Sequence, residues 1–409
     1  LANEDFGIWV TISSFLVWAG FFDIGLGNGL RNKLAASFAK NDLIKGKKYV
    51  STTYFLLSLI SLLLFFVFYT FNHYLDWTII LNTKNATNSE LQLLSLVVFG
   101  FFFLRFVLKL VGVVLLADQR PAMNSMLIPL GDLIGITIVY FISLSSSQGS
   151  LFIIGLVYSI SPIVVFIIAS VYYYSSEYKA IAPSLQYLEL KYAKDLLSLG
   201  VGFFIIQLST LTLFQSTNFI VNYYFGPEEV TNYYVAYRYF SIIHLLITIV
   251  ITPFWSAFTD AWSNNEIDWI KNSIGKLLKI WFLLVILSIL LLYWSEIFFK
   301  IWLGQERYES IVIKLELKLA LVAFFILFSF GGIFNMFING VGKIKAQIIS
   351  FIIGVIIYFP MTYLFVKILN METEGIVLAM IIANFYTPII APIQYRKIIS
   401  NRAYGIWNK

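Results

Sequence analysis

Runs of about 20 or more apolar residues recur along the whole chain, and that recurrence leaves few architectures open. A run this long crosses a bilayer as a helix, because hydrocarbon offers no water to satisfy the backbone and each amide must bond within its own segment. Eleven such runs are read, at 6–29, 50–71, 92–117, 122–143, 151–174, 198–222, 233–257, 277–299, 317–338, 346–367 and 375–393. Of 409 residues, 59% are hydrophobic and 12% charged, with mean hydropathy +0.83; soluble domains carry about 25% charged residues. A β-barrel is excluded, since its strands would alternate over about 10 residues. The predicted class is an all-α polytopic membrane protein. Its longest connecting segments, 72–91 and 175–197, are too short to fold as soluble domains.

The net charge of +6 invites a nucleic-acid reading, but its distribution argues for topology. One set of loops holds Arg31, Lys33, Lys40, Lys45, Lys47 and Lys48, then Arg120, Lys179, Lys191 and Lys194, and later Lys271, Lys276, Lys279, Lys343, Lys345, Arg396, Lys397, Arg402 and Lys409. The opposite set holds only Lys84, Lys300, Arg307, Lys314, Lys318 and Lys367. The richer set is expected in the cytoplasm, the alternation holds through every span, and nucleic acid is not an expected partner. Residue 1 is then outside and the C-terminus inside. Because the chain opens on Leu1 without a cleavable signal, a leading helix is expected to be missing ahead of it. No cysteine is present, and His73 and His244 stand apart from any metal-binding pattern, so neither disulfide, metal nor cofactor is predicted.

One added helix would make twelve, dividing into two six-helix lobes at the polar segment 175–197. The expected domains are an N-terminal lobe over 1–174, a cytoplasmic linker over 175–197, and a C-terminal lobe with a short cytoplasmic tail over 198–409. "EDFGIWV" at Glu4–Val10 and "EEVTNYYV" at Glu228–Val235 open corresponding spans six helices apart, so the lobes would be pseudo-symmetric about the membrane normal, around a central cavity.

Six blocks in order along the chain carry a resemblance: "EDFGIWVTISSFLVWAGFFDIGLGNGLRNKLA", "KKYVSTTY", "ADQRPA", "ITPFWSAFTDAW", "NGVGKIKAQ" and "YGIWNK". Together they resemble the bacterial polysaccharide (O-antigen) flippases of the Wzx type, in the superfamily that also holds the MATE drug exporters and the lipid II flippases. The resemblance implies twelve to fourteen helices in two lobes around a cavity. It also implies export of an undecaprenyl-diphosphate-linked oligosaccharide by alternating access in the bacterial inner membrane, for O-antigen or capsule synthesis. The chain departs from the family pattern at its start, where the first helix is absent.

"LRFVLKLVGVVLLADQRP", residues 104–121, then raises a question of cost. Counted from the turn near Asp118 at 1.5 Å per residue, Lys109 lies roughly 13 Å and Arg105 roughly 20 Å deep in a core about 30 Å thick. Spaced i and i+4, they share a helix face that Gly112 continues. A charge at this depth costs about 2.5–3.5 kcal/mol on insertion scales, so both need a wet cavity or a counter-charge. Asp132, roughly 16 Å deep on the next helix, is one counter-charge and would make a structural ion pair. It is alternatively an ion-coupling carboxylate for a proton or sodium. A substrate diphosphate is the other counter-charge, matched to Arg and Lys donors. Arg238, roughly 8 Å from the outer face, either joins this cationic path or snorkels outward.

Other signals have blander readings. Asp23 and Asp260 read as solvated helix-end charges, His244 as a polar packing residue, and Gly25, Gly27 and Gly29 as close-packing positions. Trp9, Trp18, Trp77, Trp255, Trp262, Trp269, Trp302 and Trp407 read as interfacial anchors first and sugar platforms second. "GVGK" at Gly340–Lys343 lacks the strand of a phosphate loop and is set aside. The expected function is a flippase with no enzymatic step, whose partners are membrane lipids, a lipid-diphosphate-linked oligosaccharide, a coupling cation, and polysaccharide polymerases or glycosyltransferases. A multidrug or small-solute antiporter of the same superfamily, and a membrane-embedded polymerase or glycosyltransferase, stand as alternatives.

Overall fold

Short polar signals set where the helices begin and end. A computed structural model describes residues 8, 25–81, 83, 86–145, 151–305, 308 and 311–408. Helix α1 spans Leu26–Ala39 and α2 spans Leu43–Asn72, opened by Asp42, whose side chain accepts from the Lys45 amide at 3.0 Å. A one-turn helix, Trp77–Ile80, follows. Thr87 and Glu90 then form a reciprocal capping box that opens α3, Asn88–Ala117. Next come α4 (Pro121–Ser145), α5 (Leu151–Ser175), α6 (Leu190–Phe225), α7 (Pro227–Ile251) and α8 (Phe254–Ser263). The last five are α9 (Ile267–Leu303), α10 (Leu315–Val341), α11 (Lys345–Tyr363), α12 (Thr373–Ala383) and α13 (Ala391–Ile399).

The all-α expectation holds, with no strand among the described residues. Among the described residues nine helices are long and apolar enough to cross a membrane, or ten if the pair Thr373–Ala383 and Tyr386–Ile399, bent by 41°, is one broken span. These ten coincide with the expected runs from 50–71 onward. The first expected run lies outside the described residues except for Ile8 and 25–29, as does Asp23. Several helices outrun their apolar stretches, because backbone bonding continues through flanking lysines while hydropathy marks only the lipid-embedded part.

The chain forms two compact units, Leu1–Phe204 and Ile205–Lys409. In the first, α2 lies along α3, α3 along α5, and α5 along α4. Lipid is as apolar as leucine, so helices here are held by close fit more than by burial. Gly131 of α4 meets Pro162 of α5, where a methyl group would sit 2.6 Å from the Pro162 Cα. Gly25, with φ +66°, is pressed against the Gly200 carbonyl, and Gly29 against that of Leu196, bringing α1 onto α6. The close-packing reading of Gly25 and Gly29 therefore has a partner. Trp77 departs from its expected role: it is buried, and its indole N–H donates to Asn72 Oδ1 at 2.8 Å, so it closes the end of α2 instead of lying in an interfacial belt.

Segment 175–197 is fastened to the first unit. Ile181 is buried against Gly46, the Ser184 amide donates to Ser51 Oγ at 3.0 Å, and Lys48 pairs with Glu189 at 2.6 Å. Lys47 lies over the Tyr187 ring, and Tyr49 meets Tyr192 edge to face at 4.8 Å. The two units consequently divide at Phe204 and Ile205, inside α6, while the expected linker travels with the first unit.

In the second unit α10 is the central helix, flanked by α7, α8, α9 and α12. Gly331 of α10 faces the Thr387 carbonyl and Gly354 of α11 faces that of Ala383. The chain there is irregular, with π-helical turns at Leu364–Ile368 and Tyr386–Ile390.

Candidate functional site

Lys109 interrupts α3. Its amide donates to the Arg105 carbonyl at 2.9 Å, but its own carbonyl accepts from the Gly112 amide three residues on, also at 2.9 Å, a local tightening toward 3₁₀ geometry. Arg105 and Lys109 thus bracket an irregular turn in the span, and both are half-buried. The Lys109 ammonium lies 4.2 Å from the centre of the Phe106 ring, a cation–π contact worth about 0.5–2 kcal/mol. Gly112 is buried and takes the Asn124 side chain of α4, which would stand 2.1 Å from an added methyl.

Asp132 lies on α4 and is exposed. Its carboxylate attracts the Arg105 guanidinium across the α3–α4 hairpin. The turn joining these helices is rigid. Arg120 of "ADQRPA" pairs with Asp118 at 2.9 Å and with Glu177, and the Tyr178 hydroxyl donates to Asp118 at 2.7 Å. Burial, then the Asp118 bond, pushes the Tyr178 phenol above its ordinary pKa, so it remains a donor. The depths of Arg105 and Lys109 are therefore referenced to a fixed end.

Arg238 of α7 belongs to the other unit. It is exposed, and its Nε donates to the Tyr234 hydroxyl at 2.9 Å, one turn back on its own helix. His244, nearly two turns further, has its ring tilted against Phe328 at 4.9 Å and lies 3.3 Å from Thr248 Oγ1, while its buried Nδ1 has no hydrogen-bond partner among the described residues.

Three of the sequence blocks meet at one end of the second unit. Thr259 of "ITPFWSAFTDAW" donates to the Gly340 carbonyl at 2.8 Å, and Gly340 packs on the Trp255 carbonyl. Gly342, at φ 71°, ends α10, and the neighbouring Lys343 lies over the Trp262 ring, which gives "GVGK" a purely structural use. Buried Gln394 donates to the carbonyls of Lys343 and Trp407, and Lys397 covers the Trp407 ring at 3.8 Å, tying down "YGIWNK". Asp260 accepts from Asn264.

Two buried cations escaped the sequence reading. Arg31 is 5% exposed within α1, where burial pushes its pKa down. Lys318 is 6% exposed in the first turn of α10 and reaches Glu296 of α9 at 3.4 Å. Both stand in polar-looking sequence, so only their neighbours reveal them. Among the described residues no group of three His, Asp or Glu is placed to hold a metal ion.

Two lobes of long apolar helices with broken and π-helical spans define a class: the chain has the fold of the MATE transporters of the MOP superfamily, and is a multi-pass membrane protein. A MATE in complex with MaL6 aligns over 98% of this chain and 90% of its own, with TM-score 0.78 and 17% identity. An outward-facing multidrug resistance MATE family transporter covers 98% and 89%, with TM-score 0.77 and 16% identity. A MOP superfamily transporter from Pyrococcus furiosus Vc1 (DSM3638), described as having a binding pocket of reverse polarity, covers 98% and 92% with TM-score 0.77 and 17% identity. No protein-family model matches the sequence, and no curated protein matches it.

Proposed function

We propose that the protein is a flippase that carries an undecaprenyl-diphosphate-linked oligosaccharide from the cytoplasmic to the periplasmic leaflet by alternating access. The observation that carries this reading is the pair of half-buried cations, Arg105 and Lys109, at an irregular turn deep in α3 of a transporter fold. Asp132, which attracts Arg105, offers one negative charge against these two cations. A diphosphate would supply the remaining countercharge, and Arg238 is proposed as a further contact for it. Asp132 would serve as charge partner or as the acceptor of a coupling proton or sodium ion. The polyprenyl chain stays in lipid. The lysine distribution supports a cytoplasmic C-terminus in the bacterial inner membrane, and the transporter fold supports a role without catalysis, working beside polysaccharide polymerases or glycosyltransferases.

A second reading is favoured by the fold shared with a multidrug resistance transporter, namely export of a small drug or solute. One assay separates the two. The protein is reconstituted in liposomes with a labelled undecaprenyl-diphosphate oligosaccharide, and the label's accessibility to an impermeant reagent is followed. Protein-dependent translocation is expected, slowed about tenfold or more in Arg105→Ala/Lys109→Ala, since charge-assisted bonds are worth about 1.5–3 kcal/mol each, and retained in Lys109→Arg. Translocation indifferent to the double substitution would return both cations to a structural role. No translocation of this lipid by the folded protein would overturn the flippase reading.

A further inference from the structure

The first unit carries a second feature shaped for a lipid, away from Arg105 and Lys109. Along the outer side of α2, Leu59, Leu62, Leu63, Phe65, Phe66 and Tyr69 line an apolar trough of about 600 Å³. It runs directly into a pocket of about 590 Å³ at the end of the same helix, because Phe66 and Tyr69 line both. From Leu59 to Tyr69 is roughly 15 Å at helical rise, half of a core about 30 Å thick, so the trough matches the hydrocarbon depth of one leaflet.

The terminal pocket has a different chemistry. Thr70, His73 and Tyr74 of the α2 end face Ser89 and Gln92 of α3, and among the described residues no acid or lysine lines it. Its floor is built and rigid. Gln92 spends its amide donors on the carbonyls of His73 and Leu75, each at 3.2 Å, which leaves its Oε1 as an acceptor. Asn72 accepts from the Trp77 indole and donates to the Gln92 carbonyl. The rims are aromatic: Tyr69 and Tyr74 are 57% and 79% exposed, with hydroxyls able to donate and accept, and the His73 ring meets Tyr74 edge to face. Rigid neutral acceptors between exposed aromatic faces suit a hydroxyl-rich uncharged head whose C–H faces rest on the rings.

We infer that this continuous groove is a binding site for a single glycosyl-headed lipid, its chain along Leu59–Phe66 and its sugar between Tyr69, Tyr74 and Gln92. The proposed orientation puts the site in the outer leaflet, but the inference requires neither transport nor a diphosphate. It is therefore tested apart from flipping.

The full-length protein in phosphatidylcholine nanodiscs receives a trace of hexosyl diacylglycerol bearing a photoreactive group in its chain, and the labelled peptides are mapped. Label is expected to concentrate on 59–74 relative to the exposed α9 face around Phe282, Ile286 and Tyr293, which is equally open to lipid. Unlabelled hexosyl diacylglycerol should compete, and Tyr69→Ala/Tyr74→Ala should lower the labelling about threefold, the scale of two aromatic contacts. Both tyrosines are exposed, so the variant is expected to fold, which its unchanged label on α9 would verify. Equal labelling of the two faces, insensitive to competition, would overturn the site and leave only annular lipid. Equal competition by phosphatidylcholine would overturn the glycosyl head.

Discussion

Gly331 and Gly112 both occupy places where a methyl group would collide, but what they collide with differs. A Cβ on Gly331 would lie 1.8 Å from the Thr387 carbonyl oxygen, which is backbone in an irregular π-helical turn and can move only if α10 and that turn separate. On Gly112 it would meet Asn124 Oδ1 at 2.1 Å, the far end of a side chain that can rotate away. Gly331→Ala is expected to cost about 1–3 kcal/mol or more through overpacking, and Gly112→Ala markedly less. Thermal unfolding in detergent checks the order, and a smaller loss for Gly331→Ala would contradict this packing. Arg105 and Lys109 were legible in sequence because charge is conspicuous among apolar neighbours. Asp132 was legible as a counter-charge for the same reason, whereas the contact of Lys109 with Phe106 was not, since it depends on side-chain direction.

At the scale of elements, 175–197 shows what composition leaves undecided about a connecting segment. It is polar, charged and proline-bearing, which reads as a linker, yet Ser51 and Lys48 on α2 hold it. Ser51→Ala removes the acceptor for the Ser184 amide, a loss of about 1 kcal/mol, so hydrogen exchange across 182–189 should accelerate about fivefold while α4 is unchanged. The Glu189 carboxyl is held below its ordinary pKa by bonds from Lys191 and then Lys48. Its contribution is therefore complete at and above the ordinary carboxylate range and fades only as pH falls through the lowered value. Protection of this segment should accordingly survive at pH about 4.3, where an unperturbed glutamate is half protonated. Loss of protection already at pH about 6, well above that range, would contradict the Glu189 contacts.

For the whole molecule, the lysine and arginine asymmetry predicts an orientation that a cysteine-free chain makes simple to test. Single cysteines at Ser176 and Glu266, both exposed, are expected to react with an impermeant maleimide only after the cells are opened. A cysteine at exposed Leu369 is expected to react in intact cells. The reverse pattern would invert the topology and move the aromatic pocket at the end of α2 to the inner leaflet.

The sequence by itself determined that the chain is helical and where ten of its spans lie, and it predicts which loops share a side. These follow from the length of apolar runs and the placement of charge, and both are local properties that lipid enforces. Tertiary structure alone decided that the two units divide within α6, that Trp77, Arg31 and Lys318 are buried, and that three distant blocks close one end of the second unit. In lipid such choices turn on close fit between surfaces of near-equal hydrophobicity. Complementarity of that kind belongs to pairs of helices and leaves no mark in either one read alone.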